Sequence, residues 1–221
     1  MNLEREILID VGKTGMGKTQ LVKRLLASQQ RVLVMDSVFL EHTGILFHDM
    51  RDLIEHVQQY KTFRVRIEDT RDFPMLCAVA MAARRCWLVI EEAQRVLPDS
   101  RHELPTEFTD IIYRGRHTYV NVVIIAQRAS TVHIAARSQW TRLISFNQSE
   151  SADCNWIEGQ VGRKLELNHL SQFHYYEATL DGKCNARVLD MPPKRGKIRE
   201  DRDEEQEAHD VNPQPIEEHA Q

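Results

Sequence analysis

Residues 12–19 read Gly12-Lys13-Thr14-Gly15-Met16-Gly17-Lys18-Thr19 and fit G-x-x-x-x-G-K-[ST]. Glycines at 12, 15 and 17 let backbone N–H groups turn inward around an anion, where side chains would obstruct them. The closing pair suits a nucleoside triphosphate with its metal: Lys18 reaches the β- and γ-phosphates, and the Thr19 hydroxyl ligates Mg²⁺. Placement supports the spelling. The string follows apolar Ile7-Leu8-Ile9, which reads as a strand. It opens Thr19–Gln29, where Leu21, Val22, Leu25 and Leu26 fall on one helical face. A helix N-terminus there adds the positive end of its dipole. The whole of Gly12, Lys13, Thr14, Gly15, Met16, Gly17, Lys18 and Thr19 is therefore expected to bind ATP. The earlier Gly12-Lys13-Thr14 is not a second loop, because Ile7 stands where its leading glycine should be.

A second string, Cys86-Trp87-Leu88-Val89-Ile90-Glu91-Glu92, ends an apolar strand in two carboxylates. Buried acids are costly without a partner, and a phosphate loop beside them supplies one. Glu91 is expected to hold Mg²⁺ through water, and Glu92 to orient or deprotonate the attacking water. An ordinary strand ending in solvent-exposed acids would have the same spelling. A third strand, Val120–Ala126, ends in Gln127-Arg128. A neutral amide there can sense the γ-phosphate or position water without adding charge repulsion.

These residues need strands that stop together. Ile7–Ile9, Arg31–Met35, Phe63–Ile67, Trp87–Ile90, Val120–Ala126 and Leu143–Phe146 read as strands. Helical patterns at Thr19–Gln29, Leu76–Ala83 and Glu107–Tyr113 fall between them. Strands that are apolar on both faces and separated by helices point to an α/β fold with a mostly parallel central sheet flanked by helices. Tyr175–Thr179 and Ala186–Leu189 flank Asp181-Gly182, the pattern of a C-terminal β-hairpin.

Composition bounds the rest. The 221 residues suit one medium domain, with charged residues at 28% and the hydrophobic set at 42%, which excludes a wholly disordered chain. No apolar run approaches the ~20 residues that span a bilayer, and no charged-then-apolar leader opens the chain. The four cysteines form no C-x-x-C pair and are expected to be reduced thiols. The net charge of −4 is uneven: residues 200–221 hold nine acids and one base, −8, leaving +4 on residues 1–199. Residues 1–193 are read as the ATPase domain and 194–221 as a basic-then-acidic tail that cannot bury enough surface to fold alone. Its basic part, Lys194, Arg195, Lys197 and Arg199, is a solvated linker or a phosphate-backbone contact. The acidic part is a solubilising extension or a dock for a basic partner.

The order Gly12–Thr19, Leu88–Glu92 with Ala93-Gln94, Arg116 ahead of Asn121–Ala126, and Gln127-Arg128 resembles the FtsK–HerA superfamily of P-loop DNA-pumping ATPases. Thr141–Phe146 and Ser151-Ala152-Asp153 are similar to that family's final core strand and following helix. The small size is most similar to the genome-packaging ATPases of tectivirus-type, internal-membrane double-stranded-DNA viruses. The resemblance implies a RecA/ASCE-like P-loop NTPase acting as a homo-hexameric ring, with ATP at subunit interfaces and double-stranded DNA in the channel. A neighbour's arginine would meet the γ-phosphate. Arg116 is the first choice for that finger, with Arg142 and Arg114 next. Regions 95–101 and 129–137 are candidate DNA loops. A capsid-vertex or portal protein is the implied partner, with no membrane span of the chain's own, and host cytoplasm and virion the implied locations.

A signalling GTPase needs D-x-x-G and N-K-x-D, and neither string occurs. A small-molecule kinase needs a basic lid rather than paired carboxylates after Ile90. A cellular or plasmid FtsK/HerA-like conjugation or partition ATPase keeps the same core, as does a phage morphogenesis factor resembling zonular occludens toxin. The latter normally adds a membrane-spanning helix. The scattered histidines, among them His42, His48, His117 and His133, lack metal-ligand spacing. Trp87, Trp140 and Trp156 read as packing residues, and Asp36 as a site-lining acid or a turn cap.

Overall fold

Seven residues, Val120–Ala126, carry no charge and are almost wholly buried, so they fit only in the interior of a sheet covered on both faces. The computed structural model, which describes residues 5–39 and 42–190, builds that sheet from nine strands. In chain order the first half runs β1 (Ile7–Val11), α1 (Lys18–Leu25), β2 (Arg31–Met35), β3 (Ile45–Leu46), α2 (Met50–Gln59), β4 (Phe63–Ile67) and α3 (Phe73–Ala83). The second half runs β5 (Cys86–Ile90), α4 (Thr106–Arg114), β6 (Val120–Ala126), α5 (Ile134–Arg137), β7 (Arg142–Ser145), α6 (Ser151–Val161), β8 (His174–Thr179) and β9 (Cys184–Val188).

The sheet order is β3-β4-β2-β5-β6-β1-β7-β8-β9. Neighbouring strands are parallel from β3 through β7, whereas β8 and β9 continue antiparallel as a hairpin. The chain thus has the α/β architecture expected from its alternating pattern. The hairpin turns at Gly182, whose φ of +81° is the left-handed conformation a glycine adopts without strain. β1 sits between β6 and β7, so the chain after β1 leaves toward one side of the sheet and β7 is reached on the other. Such a switch in direction leaves a crevice beyond the carboxyl ends of the strands.

Local composition explains the elements. β1 and β2 are buried on both faces, whereas β4 alternates buried and half-buried residues near the sheet edge. α3 begins at Phe73, with Pro74 in its first turn where no intrahelical N–H is needed. It therefore starts ahead of the Leu76 expected from its apolar run. α1 ends at Leu25 rather than Gln29; the next residues close tighter turns, Ala27 N–H to Arg24 C=O and Gln29 N–H to Leu26 C=O. α2 was not anticipated, yet Met50, Leu53, Ile54 and Val57 follow helical spacing, and Asp49 caps the helix by accepting from Arg51 N–H at 2.7 Å.

Among the described residues, no helix is long and apolar enough to cross a membrane. The tail expected at 194–221, with its basic stretch and acidic run, lies outside the described residues, as does the boundary at 193.

Candidate functional site

The carboxyl ends of β1, β5 and β6 meet at the loop 12–17. Gly12 has φ +152° and lies so close to β7 that an added Cβ would stand 2.5 Å from Phe146 Cβ. Gly15 and Gly17 have φ +79° and +112°. These left-handed turns coil the backbone so that α1 begins at Lys18 with its first N–H groups facing the loop. Lys18 is buried and folds back over the loop, its Nζ donating to Gly12 O at 2.7 Å and Lys13 O at 3.1 Å.

Thr19 and Glu91 converge as their sequence positions suggested. Thr19 Oγ1 donates to Glu91 Oε1 at 2.8 Å. Two oxygen donors this close, beside an anion-binding loop, form the hard donor set that suits Mg²⁺. Sequence reasoning did not connect His42 to this point. Its Nε2 lies 2.7 Å from Glu91 Oε2, and both side chains are buried. Asp36, fully buried at the end of β2, accepts from His42 N–H and from Arg66 Nη1, each at 3.2 Å. Asp36 therefore fixes the chain that carries His42, and His42 fixes the rotamer of Glu91. Partners one step behind a ligating group orient it in this manner. Only contact across 49 residues reveals the pair; an isolated histidine in sequence carries no such signal.

Glu92 sits in the left-handed region, φ 49° and ψ 62°, which turns its carboxylate away from Glu91. Gln127, at the end of β6, donates from Nε2 to Glu92 Oε1 at 3.2 Å, and Gln94 donates to Glu92 Oε2. The acid expected to act on water and the amide expected to position it are thus neighbours. Arg128 turns the other way: its Nε donates to buried Asp153 Oδ2 at 2.9 Å, while Asp153 Oδ1 accepts Ser130 N–H at 2.7 Å. That contact ties the end of β6 to α6.

Asp10, one residue before the end of β1, is a further acid that sequence reasoning missed. It is fully buried, and neither carboxylate oxygen has a hydrogen-bond partner among the described residues. Burial pushes its carboxyl well above the ordinary range; Lys18 pulls it down and the Glu91 carboxylate adds to the rise. The sequence signal was present: one acid inside the apolar run Ile7–Val11.

The arginines separate by place. Arg116 is exposed on a short turn before β6, at the opposite end of the sheet from the loop. Arg142 donates from Nε to Glu177 at 2.7 Å and from Nη1 to Glu6 at 3.3 Å, so it is engaged within its own chain. Arg114 lies on the exposed face of α4 beside Asp110. Half-buried Arg5 supports the turn that carries Arg116 by donating to the carbonyls of Ile111, Ile112 and Val120. Burial, with Arg116 nearby, lowers its guanidinium to about 10. The two regions proposed as DNA loops lie side by side, joined by His133 Nε2 to His102 O at 3.0 Å and Ile134 N–H to Ser100 Oγ at 3.0 Å.

The hairpin reaches the loop as well. Gln172 Nε2 donates to Gly15 O at 2.8 Å and Phe173 N–H to Met16 O at 3.1 Å. The Phe173 ring covers Gly17, where an added Cβ would stand 2.8 Å from its Cδ1.

No protein-family model and no curated protein sequence matches the chain. Solved structures do. The genome packaging NTPase B204 of Sulfolobus turreted icosahedral virus 2, in complex with AMPPCP, superposes with a TM-score of 0.70 at 16% identity, over 86% of this chain and 100% of that one. The cytoplasmic domain of the type VII secretion ATPase EccC of Thermomonospora curvata gives 0.56 at 13%, over 84% of this chain and 25% of that one. The pCW3 conjugation coupling protein TcpA, with ATPγS, gives 0.54 at 14%, over 81% and 59%. At these identities the likeness is one of fold, the α/β fold that this chain shares with these NTPases.

Proposed function

We propose that this chain is an ATPase that drives double-stranded DNA into a preformed viral capsid, working as a homo-hexameric ring. The observation that carries the reading is the meeting of three strand ends. The loop 12–19 with Lys18, the Thr19–Glu91 pair, and Glu92 with Gln127 at 3.2 Å occupy one edge of the sheet. Loop amides and Lys18 hold the triphosphate and neutralise charge that builds on it. Thr19 and Glu91 would hold Mg²⁺, which would supply Lewis-acid stabilisation of the phosphate oxygens when bound. Glu92 accepts a proton from the attacking water, and Gln127 orients that water without adding negative charge. Arg116 faces away from its own loop, which accords with service to the loop of a neighbouring copy. The closer fold match to B204, a TM-score of 0.70 against 0.56 for EccC and 0.54 for TcpA, supports packaging over the rival FtsK-like roles. On this reading the ring works in the host cytoplasm and at the virion vertex, against a portal or capsid-vertex protein.

The test is steady-state ATP hydrolysis with and without double-stranded DNA, across protein concentration, with Lys18→Ala as blank. Hydrolysis that rises with both DNA and concentration is expected. Hydrolysis indifferent to DNA at every concentration, with the vertex protein present, would remove DNA pumping from the reading.

A further inference from the structure

The strand ends remote from the loop carry a second charged feature. An open cavity of about 570 Å³ is lined by Arg31, Ala83, Arg84, Arg85 and Tyr119, with no carboxylate among these residues. It lies where β2, β5 and β6, neighbours in the sheet, begin. Three of its lining residues hold backbone conformations that L-residues rarely adopt. Arg84 has φ 58° and ψ 162°, a region that is essentially glycine's; Arg85 has φ 45° and Tyr119 φ 56°. Strain of this kind persists where surrounding structure enforces it, and it clusters at binding sites.

Part of the enforcement is visible. Arg31 donates to Ala83 O at 2.8 Å and to Lys61 O, and Arg85 N–H donates to Thr118 O at 2.8 Å. Arg84 Nη2 donates to His117 O at 3.2 Å, so one face of its guanidinium is seated and the rest is exposed. The Arg85 guanidinium makes no hydrogen bond or ion pair among the described residues. It rests over the Tyr119 ring at 5.6 Å, which fixes its direction and leaves its N–H donors outward. Two arginines aimed into one cavity, with no acid to neutralise them, form an anion site of phosphate chemistry. Exposed Lys61 stands before β4, extending the file of bases across the adjacent strands β4, β2 and β5. At ~4.8 Å per strand that file is about 10 Å long, longer than a single phosphate and suited to a polyanion.

We propose that Arg84 and Arg85, in the cavity closed by Arg31 and Tyr119, bind the phosphodiester backbone of DNA. Contacts of this type carry affinity without sequence preference. Arg85 immediately precedes β5, and Glu91-Glu92 immediately follow it, so one five-residue strand links the backbone contact to the proposed water-activating end. The inference rests on the functional reading for the identity of the polyanion; the cavity itself does not depend on it.

The backbone geometry supplies the experiment. Glycine adopts these φ values without strain, so Arg84→Gly/Arg85→Gly removes both charges while leaving the fold as stable as before or more so. Fluorescence anisotropy of the full chain with a short labelled duplex, across a salt series, should show affinity reduced by about tenfold and a salt slope shallower by about 2. Duplexes of unrelated sequence should lose affinity equally. Thermal melting should be unchanged or raised, and hydrolysis without DNA unchanged. Arg84→Gly/Arg85→Glu, which removes one charge and reverses the other, should weaken binding further. Wild-type affinity and slope in both variants would overturn the proposal and leave the ATPase reading intact. So would a loss of DNA-independent hydrolysis with duplex affinity unchanged, since the arginines would then serve a neighbour's nucleotide. A wild-type chain that binds no duplex would remove this contact and the DNA partner together.

Discussion

Glu92 carries the proposed chemistry in a strained conformation. A non-glycine residue at φ 49° costs free energy, and the return is a carboxylate aimed at Gln127 instead of at the Thr19–Glu91 pair. The two adjacent acids are thereby given separate tasks. Glu92→Gln keeps the shape and removes the base, so hydrolysis should fall by ~10²–10⁴ while nucleotide affinity stays near wild type. Equal loss of both, read by nucleotide titration beside turnover, would make Glu92 a binding residue. Asp10 poses a different problem, because its folded-state pKa is raised by burial. A raised acid contributes stability that is fully present below its unfolded value of about 3.9 and is lost as pH rises toward the folded one. Asp10→Asn removes that dependence, so the variant should gain in melting temperature over wild type as pH is raised from 4 toward neutrality. A constant difference across that range would mean Asp10 ionises normally in the fold.

At the scale of elements, the loop is held from two sides: β7 presses on Gly12 through Phe146, and the segment before β8 covers Gly17 through Phe173. Gly12 and Gly15 differ in what an added methyl meets. At Gly12 it would meet Phe146 Cβ at 2.5 Å and Cα at 3.2 Å, atoms that cannot swing aside, whereas at Gly15 nothing lies within 4 Å. Gly12→Ala should therefore cost about 1–3 kcal/mol of stability beyond the backbone strain that Gly15→Ala also bears. Denaturant midpoints that fall equally in both variants would show β7 yielding. Phe173→Ala strips the ring from Gly17 and leaves the N–H bond to Met16 exposed to water. Faster amide exchange through residues 15–19 is expected, with severalfold weaker nucleotide binding; unaltered exchange would show that the hairpin does not brace the loop.

For the whole molecule, the decisive distance is the length of a strand. Arg116 precedes β6 and Gln127 follows it, so the seven-residue strand sets the arginine about 20 Å from its own loop. One chain cannot close the site with that arginine. Lys18→Ala and Arg116→Ala should each be nearly inactive alone, and mixing them should restore hydrolysis, because some interfaces then pair an intact loop with an intact arginine. An active Arg116→Ala, or a mixture no better than its parts, would assign the finger elsewhere. If the chain works as the proposed ring, hydrolysis per subunit should also fall on dilution.

Much of this molecule is written in short-range pattern. The strands β2, β4 and β6 lie where their apolar runs ended, because β-branched residues bounded by polar ones leave little choice of period. The loop before α1 was legible because its turns need positive φ, and the glycines that adopt it are visible one residue at a time. The Asp181-Gly182 turn was legible for the same reason. α2 was overlooked although its spacing was regular, since its polar face outweighed its apolar one. Other features could not be read along the chain at all. His42 became part of the site only when β2 was set beside β5 and the segment after β2 carried it to Glu91. Gln127 gained a partner 35 residues away through the parallel register of β5 and β6. Arg142, plausible as a finger from its position, was claimed by Glu6 and Glu177 once β7 paired with the hairpin. The arginines before β5 form a cavity only because three strands begin together. Period and backbone chemistry are local properties, whereas proximity, burial and the sharing of a charge depend on which distant residues the sheet order brings into contact.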